Sequence, residues 1–169
     1  MGVTLALDSW TASLTSLIVN PMVSIRETKD GNANLHSAAE RDAAGNIDYP
    51  FGSDAIGTIM YDNEGCMAVQ ICRKERNHFS SEKLKEATIE DALVLTQDYL
   101  AYFGYYTIDE ENNLLTHILQ GNLHPNLVGQ TVQRQFKFYE NKLLLCPYHD
   151  GTDREILWEK ESSPSNRLQ

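Results

Sequence analysis

Two short runs of alternating polarity narrow the folds open to this chain, because each has a polar or charged side chain in its apolar row. In LLTHILQG, His117 shares one face with two leucines. In QTVQRQFKFY, Arg134 shares one face with a valine and two phenylalanines. Alternation with a period of two is typical of strands that turn one face to a core. The pattern predicts a sheet whose apolar side contains an imidazole and a guanidinium.

The rest of the chain supplies more runs of the same kind, and turns rich in Asn and Gly join most of them. The eight predicted strands are one beginning near Met22, then AIGTIMYD, CMAVQICRKE, YYTIDE, LLTHILQG, QTVQRQFKFY, KLLLCPY and REILWEKE. Closing such a meander removes its exposed edges, and eight strands enclose room for one small ligand. We therefore predict a mainly β fold, an eight-stranded antiparallel up-and-down barrel with one helix between strands 3 and 4.

The predicted helix begins at Thr88, where Asp91 follows three residues later as in a capping box. Apolar and small residues then recur at helical spacing up to Gly104, which is expected to end the helix. The residues of this stripe are Ile89, Ala92, Leu93, Thr96, Leu100 and Phe103.

Length and local composition predict one domain with two flanking segments. A chain of 169 residues can build one compact core but is short for two ordinary domains. The barrel is expected over residues 22–161, after a segment of uncertain structure at 1–21 and before a flexible polar tail at 162–169. Residues 28–54 are polar and punctuated by glycine, which predicts a long loop of the kind that often covers a site.

The charge balance excludes some classes of partner. With 24 acidic and 14 basic residues, the formal charge is −10 and no basic patch interrupts it, so neither nucleic acid nor an anionic membrane is expected as a partner. The N-terminus lacks the pattern of a signal peptide, and no apolar run is long enough to insert into a membrane. Three cysteines without metal-ligand spacing suit a reducing compartment. We expect a soluble cytoplasmic protein, and leave homodimerisation open.

Several blocks of sequence occur in an order that is more specific than any one block. They are YPFG, GTIMYDNEGCMAVQ, YLAYFGYYTID, THILQGNLHPNLVG, QRQFKF and LWE. On these blocks, roughly over residues 22–160, the chain resembles the lipocalin-like domain proteins of bacteria and filamentous fungi. The resemblance implies a calycin-type lipocalin-like barrel with an apolar cup. It also implies a place near secondary-metabolite pathways, where such folds serve cyclisation and isomerisation.

His117 and Arg134 are the predicted catalytic residues. An enclosed imidazole can act as a general acid or base, and the alternative is a core histidine that is hydrogen-bonded to a neighbour. A buried guanidinium must be paired, either by a carboxylate of the protein or by an anionic, enolate or carbonyl oxygen of a ligand. Tyr102 and Tyr105 add aromatic lining or simple packing. The expected substrate-binding residues are Tyr61, Gln70, Tyr106, Phe136 and Trp158.

The predicted function combines the cup with the resemblance. No nucleophile elbow, phosphate loop, dinucleotide fingerprint or local pair of metal ligands is present, so neither cofactor nor metal is expected. We expect a cofactor-free cyclase or isomerase of secondary metabolism that encloses a small hydrophobic polyketide or terpenoid intermediate. His117 or a tyrosine would move a proton, and Arg134 would stabilise the oxygen that gains negative charge. A passive carrier, and a barrel filled by its own side chains, stay open as alternatives.

Overall fold

A computed structural model describes residues 32–147 and 153–160, and these form nine antiparallel strands and one α-helix. The strands are β1 (Asn32–Arg41), β2 (Ile47–Asp48), β3 (Ile56–Tyr61), β4 (Cys66–Cys72), β5 (Tyr99–Asp109), β6 (Leu114–Asn122), β7 (Thr131–Tyr139), β8 (Lys142–Pro147) and β9 (Asp153–Lys160). Helix α1 (Ile89–Gln97) and two single 3₁₀ turns, Leu84–Glu86 and Pro125–Leu127, lie in the connections. The predicted mainly β fold is confirmed.

Eight of the strands close into a barrel. The sheet runs β1-β3-β4-β5-β6-β7-β8-β9, and β1 then pairs with β9 from Ala33–Lys160 to Arg41–Asp153. The two-residue β2 pairs only with the last two residues of β1. Helix α1 follows β4, which is the third barrel strand if β2 is not counted. Closure pairs β1 with β9 along most of its length and with β3 at Asn32–Asn34, so neither β3 nor β9 is an open edge of the sheet.

The interior is filled by one face of every barrel strand. In β4, the face with Met67, Val69 and Ile71 points inward, a choice that the sequence alone did not make because both faces are apolar. The buried apolar cluster consists of Ile59, Tyr61, Met67, Val69, Ile71, Tyr106, Leu115, Phe136, Leu143, Leu145, Ile156 and Trp158. Each belongs to a strand with period-two alternation, so burial and register support one another.

Strand β1 lies inside the segment 28–54, so the prediction of a long loop there is wrong. Two features hid the strand. It contains one large apolar residue, Leu35, and a register shift between Leu35 and Ser37 breaks its alternation. Ala33 and Leu35 pack against the core before the shift, whereas Ala38 is the buried residue after it. The predicted strand near Met22 and the segments 1–21 and 162–169 lie outside the described residues.

Helix α1 has the predicted N-terminus but not the predicted end. Thr88 and Asp91 form a capping box in which each side chain accepts from the other's backbone N–H. The helix stops at Gln97, and the rest of the expected stripe belongs to β5, which pairs with β4 and β6 along Tyr99–Asp109. Strand pairing overrode the helical spacing because this aromatic-rich run suits a half-buried sheet.

Gly104 is a strand residue rather than a helix stop. It lies at a register shift of the β5–β6 pair, between Phe103 and Gly104. A Cβ atom on Gly104 would collide with the backbone carbonyl oxygen of Ile118. The glycine is therefore required by the close approach of two strands at a bulge.

Candidate functional site

A histidine between two tyrosines forms the polar centre of the barrel interior. His117 is fully buried on β6, at 0 % exposure. Its Nε2 atom lies 2.9 Å from the hydroxyl of Tyr61 on β3, and its Nδ1 atom lies 3.3 Å from the hydroxyl of Tyr102 on β5. Both ring nitrogens therefore have a protein partner.

Sheet register and a third tyrosine hold this centre in place. Tyr106 is the cross-strand neighbour of His117, and its ring packs edge-on against Tyr61 with centroids 4.8 Å apart. The Tyr106 hydroxyl donates to the backbone oxygen of Asp62, 2.7 Å away in the β3–β4 turn. Because that hydroxyl is satisfied by backbone, Tyr106 supports the centre through packing.

Burial keeps the imidazole of His117 and the phenols of Tyr61 and Tyr102 neutral near pH 7. Loss of hydration lowers the pKa of His117 to about 3, and the positive charge of Arg134 adds to the shift. Burial also raises the pKa of Tyr102 to about 12, against the opposing pull of Arg134 and Arg154. The pKa of Tyr61 is raised well above its usual value for the same principal reason. The imidazole carries one proton, and each phenol keeps its own.

Arg134 is half-buried on the inner face of β7, as the alternation predicted. Its Nη1 atom donates to the backbone oxygen of Gln133 at 3.1 Å. Among residues 32–147 and 153–160, no carboxylate forms a salt bridge with it. Within this part of the chain, the guanidinium has hydrogen-bonding capacity to offer to another group.

A cavity of about 290 Å³ lies at one end of the barrel interior. Its walls are mostly apolar, and one ion pair stands at its edge, in which Arg154 Nε donates to Glu40 Oε1 at 2.6 Å. The charge of Arg154 also acts on Tyr102, which connects this end electrostatically with the polar centre. The lining residues are Ala38, Glu40, Pro50, Phe51, Ile71, Leu100, Arg154 and Ile156.

A family model described as a lipocalin-like domain matches residues 33–165, most of the chain. This chain belongs to the lipocalin-like domain family. The match begins at the second residue of β1 and continues past β9, so it spans the whole barrel. No curated protein and no solved structure shows a significant match to the chain. The family's barrel fold suggests binding of a small hydrophobic ligand.

The lipocalin-like barrel brings together most of the residues that the sequence singled out. Phe136 and Trp158 lie in the core with Tyr61 and Tyr106, and the indole N–H of Trp158 has no hydrogen-bond partner among the described residues. Gln70 is the exception. It is exposed on the outer face of β4 and accepts a hydrogen bond from Tyr99, so its expected contact with a ligand inside the barrel is corrected.

Three further groups of this lipocalin-like protein were missed or undervalued in the sequence. The sequence predicts only lining or packing for Tyr102, because the predicted helix extends across the first half of β5. Glu40 lies in the strand that was taken for a loop. Arg154 was detectable, since strand parity places it on the same face as Ile156 and Trp158.

Within the described ranges, 32–147 and 153–160, no group of three His, Cys, Asp or Glu side chains is placed to hold a metal ion. In the same part of the chain, no helix has the length and apolar character needed to cross a bilayer.

Proposed function

We propose that this lipocalin-like protein binds a small hydrophobic molecule with one oxygen function, and acts on it as a cofactor-free cyclase or isomerase of secondary metabolism. Arg134 carries the proposal. A half-buried cation with no carboxylate partner in the described chain is costly in an apolar interior unless another anion or dipole approaches it. A carbonyl or enolate oxygen of a bound ligand would fill that role.

The size of the cavity limits the ligand. About 290 Å³ is at the lower end of the range of small-molecule pockets. The apolar walls favour a compact molecule of roughly one or two rings. A long flexible chain would need space beyond this cavity.

Enclosure and a fixed positive charge are the catalytic means that this interior offers. Holding a folded intermediate lowers the entropic cost of ring closure. The guanidinium of Arg134 would stabilise negative charge on the ligand's oxygen as a neighbouring C–H proton passes to solvent water. His117 contributes little as a base, because an imidazole whose pKa is about 3 holds a proton weakly at neutral pH.

A passive carrier is the second candidate, and one observation favours it. Both nitrogens of His117 are engaged by tyrosine hydroxyls, so the residue best suited to move protons is occupied. A carrier needs the same cavity and the same polar centre, without a step that alters the ligand.

Binding can be tested with 2-acetylnaphthalene, a compact apolar ketone. We expect the wild type to bind it, and Ala38→Leu to weaken binding about tenfold or more, because the added atoms occupy the cavity. Ala44→Leu is the control, since Ala44 is exposed in the turn after β1. Affinity is measured by fluorescence titration, and equal affinity for wild type and Ala38→Leu would place the ligand elsewhere.

The same ketone distinguishes a catalyst from a passive carrier. In D₂O, enolisation exchanges the acetyl methyl protons for deuterium, which NMR follows directly. A catalyst accelerates this exchange, and Arg134→Met should remove the acceleration while His117→Ala tests whether the imidazole takes part. Binding without any acceleration by the wild type supports the carrier instead.

A further inference from the structure

We propose that the hydroxyl of Tyr102 donates the hydrogen bond that fixes the ligand's oxygen, and that Tyr61 and His117 hold that proton free for the purpose. This inference rests on the proposed function and names one contact within it. It follows from counting donors and acceptors around His117.

The Tyr61 hydroxyl is the donor in its hydrogen bond with His117. Its side chain is 5 % exposed, and His117 Nε2, 2.9 Å away, is the one hydrogen-bonding atom it reaches within residues 32–147 and 153–160. Burial keeps the phenol protonated. A buried hydroxyl proton without an acceptor is unfavourable, so Tyr61 donates to Nε2.

The hydrogen bond from Tyr61 determines which ring nitrogen of His117 carries the proton. A neutral imidazole has one N–H and one lone pair, and the lone pair of Nε2 already accepts from Tyr61. The proton therefore resides on Nδ1 and is donated to the oxygen of Tyr102. The two distances agree with this order, because O–H donors form shorter bonds than N–H donors, here 2.9 Å against 3.3 Å.

The Tyr102 hydroxyl accepts a hydrogen bond from His117 and can still donate its own proton. Its oxygen accepts from His117, which leaves its own O–H without an acceptor in the described part of the chain. The side chain is half-buried on the inner face of β5, two residues from Leu100, which lines the end cavity. The charges of Arg134 and Arg154 act on this phenol, and guanidinium groups are donors only. An acceptor is what this position lacks.

The chemistry of the acceptor follows from the surrounding charges. Arg134, which has no carboxylate partner in the described chain, disfavours a cation here and favours an oxygen with partial or full negative charge, whereas the charge of Arg154 is paired with Glu40. We infer a carbonyl, enolate or phenolate oxygen on an otherwise apolar ligand. A protonated amine or a hydrocarbon, neither of which has a hydrogen-bond acceptor, would leave the Tyr102 proton unsatisfied.

The contact is tested with a matched pair of probes, 2-acetylnaphthalene and 2-isopropenylnaphthalene, which differ by an oxygen in place of a methylene. We expect the wild type to prefer the ketone about five- to tenfold, as one hydrogen bond predicts. Tyr102→Phe should reduce this preference to what Arg134 alone contributes, while binding the hydrocarbon as before. Tyr105→Phe is the control, because it makes the same change on the outer face of β5.

The outcomes separate the two proposals. If the wild type binds neither probe, the proposed function fails and this inference fails with it. If both probes bind and Tyr102→Phe keeps the wild-type preference, the inference alone is overturned. A reduced preference in Tyr102→Phe, but not in Tyr105→Phe, supports it.

The hydrogen-bond order has an independent readout in the imidazole nitrogens. Long-range ¹H–¹⁵N correlation spectra distinguish a protonated from an unprotonated ring nitrogen, and His117→Gln identifies the signals of His117 among the five histidines. We expect the Nδ1–H tautomer in the wild type, and a shift towards Nε2–H in Tyr61→Phe. An Nε2–H tautomer in the wild type overturns the inference whatever the probes do.

Discussion

His117 is held in an apolar barrel as a neutral ring, and two phenols make that possible. A charged imidazolium at this position would lose its hydration and would lie near the positive charge of Arg134, and both effects are unfavourable. The tyrosines instead satisfy both ring nitrogens, so the side chain is buried without an unmet hydrogen bond. Of the two interpretations open from the sequence, the geometry of the free protein matches a core histidine that is bonded to its neighbours.

A pH series should reveal this buried neutral state. The folded pKa of about 3 lies below the usual value of 6.5, so the unfolded chain binds the extra proton between these limits. His117 therefore stabilises the fold above pH 6.5, and that contribution decreases as the pH falls, by up to roughly 1.4 kcal/mol per pH unit. Urea unfolding of wild type and His117→Gln should show a stability gap that narrows from pH 7 to pH 5.

The difference in unfolding free energy between wild type and His117→Gln excludes the contributions of other titrating groups. Asp91 and Asp109 also have lowered pKa values, each held down chiefly by hydrogen bonds. Their effect on acid stability is common to wild type and His117→Gln, so it cancels in the difference. A gap that stays constant over this pH range would contradict a neutral buried imidazole.

Helix α1 depends more on its cap than on its packing. Asp91 is the one buried residue of the helix, whereas Ile89 is 79 % exposed. The Asp91 carboxylate accepts from the backbone N–H groups of Thr88 and Ser80, and from the Ser80 hydroxyl. This element is therefore stabilised mainly by local hydrogen bonds at its first turn.

Removing the cap should loosen α1 selectively. In Thr88→Ala, the Asp91 N–H loses its acceptor, which costs about 1 kcal/mol and raises helix amide exchange about fivefold. Thr96→Ala is the control, since its exposed hydroxyl bonds back to the carbonyls of Ala92 and Leu93. Exchange is followed by NMR, and similar rates in both variants would show that the cap contributes nothing.

Two glycines near the bulge between β5 and β6 differ in what an added Cβ atom would meet. Gly104→Ala should destabilise the protein by roughly 2–4 kcal/mol, because its Cβ would meet the backbone of Ile118. Gly121→Ala should cost less, since its Cβ would meet only the ring of Phe103, which is 57 % exposed and can swing aside. Chemical denaturation measures both, and equal losses would contradict the close backbone approach.

Pairing of β1 with β9 closes the barrel that the described residues form. Eight residues of β1 pair with β9, and three at its start also pair with β3. Without β1, both β3 and β9 would be edge strands with unpaired backbone groups. The least obvious strand in the sequence therefore completes the barrel around His117 and the end cavity.

Hydrogen exchange with mass spectrometry tests closure directly. Peptides from β1, Asn32–Arg41, should be protected from exchange, because eight of their residues pair with β9 and close the sheet. Peptides covering Leu84–Gln97 serve as a rapidly exchanging reference. Fast exchange confined to β1 would mean that the barrel opens at this seam.

The amino-acid sequence alone determined the face of each clearly alternating strand, including the inward positions of His117 and Arg134, because a period of two leaves one choice once a face is apolar. It also determined the helix start at Thr88, since a capping box is local. Tertiary structure decided the rest. Pairing with β4 and β6 made Tyr99–Asp109 a strand, and a bulge hid the parity of β1. His117 contacts Tyr61 across 56 positions and Tyr102 across 15, so no local pattern encodes this contact between three strands.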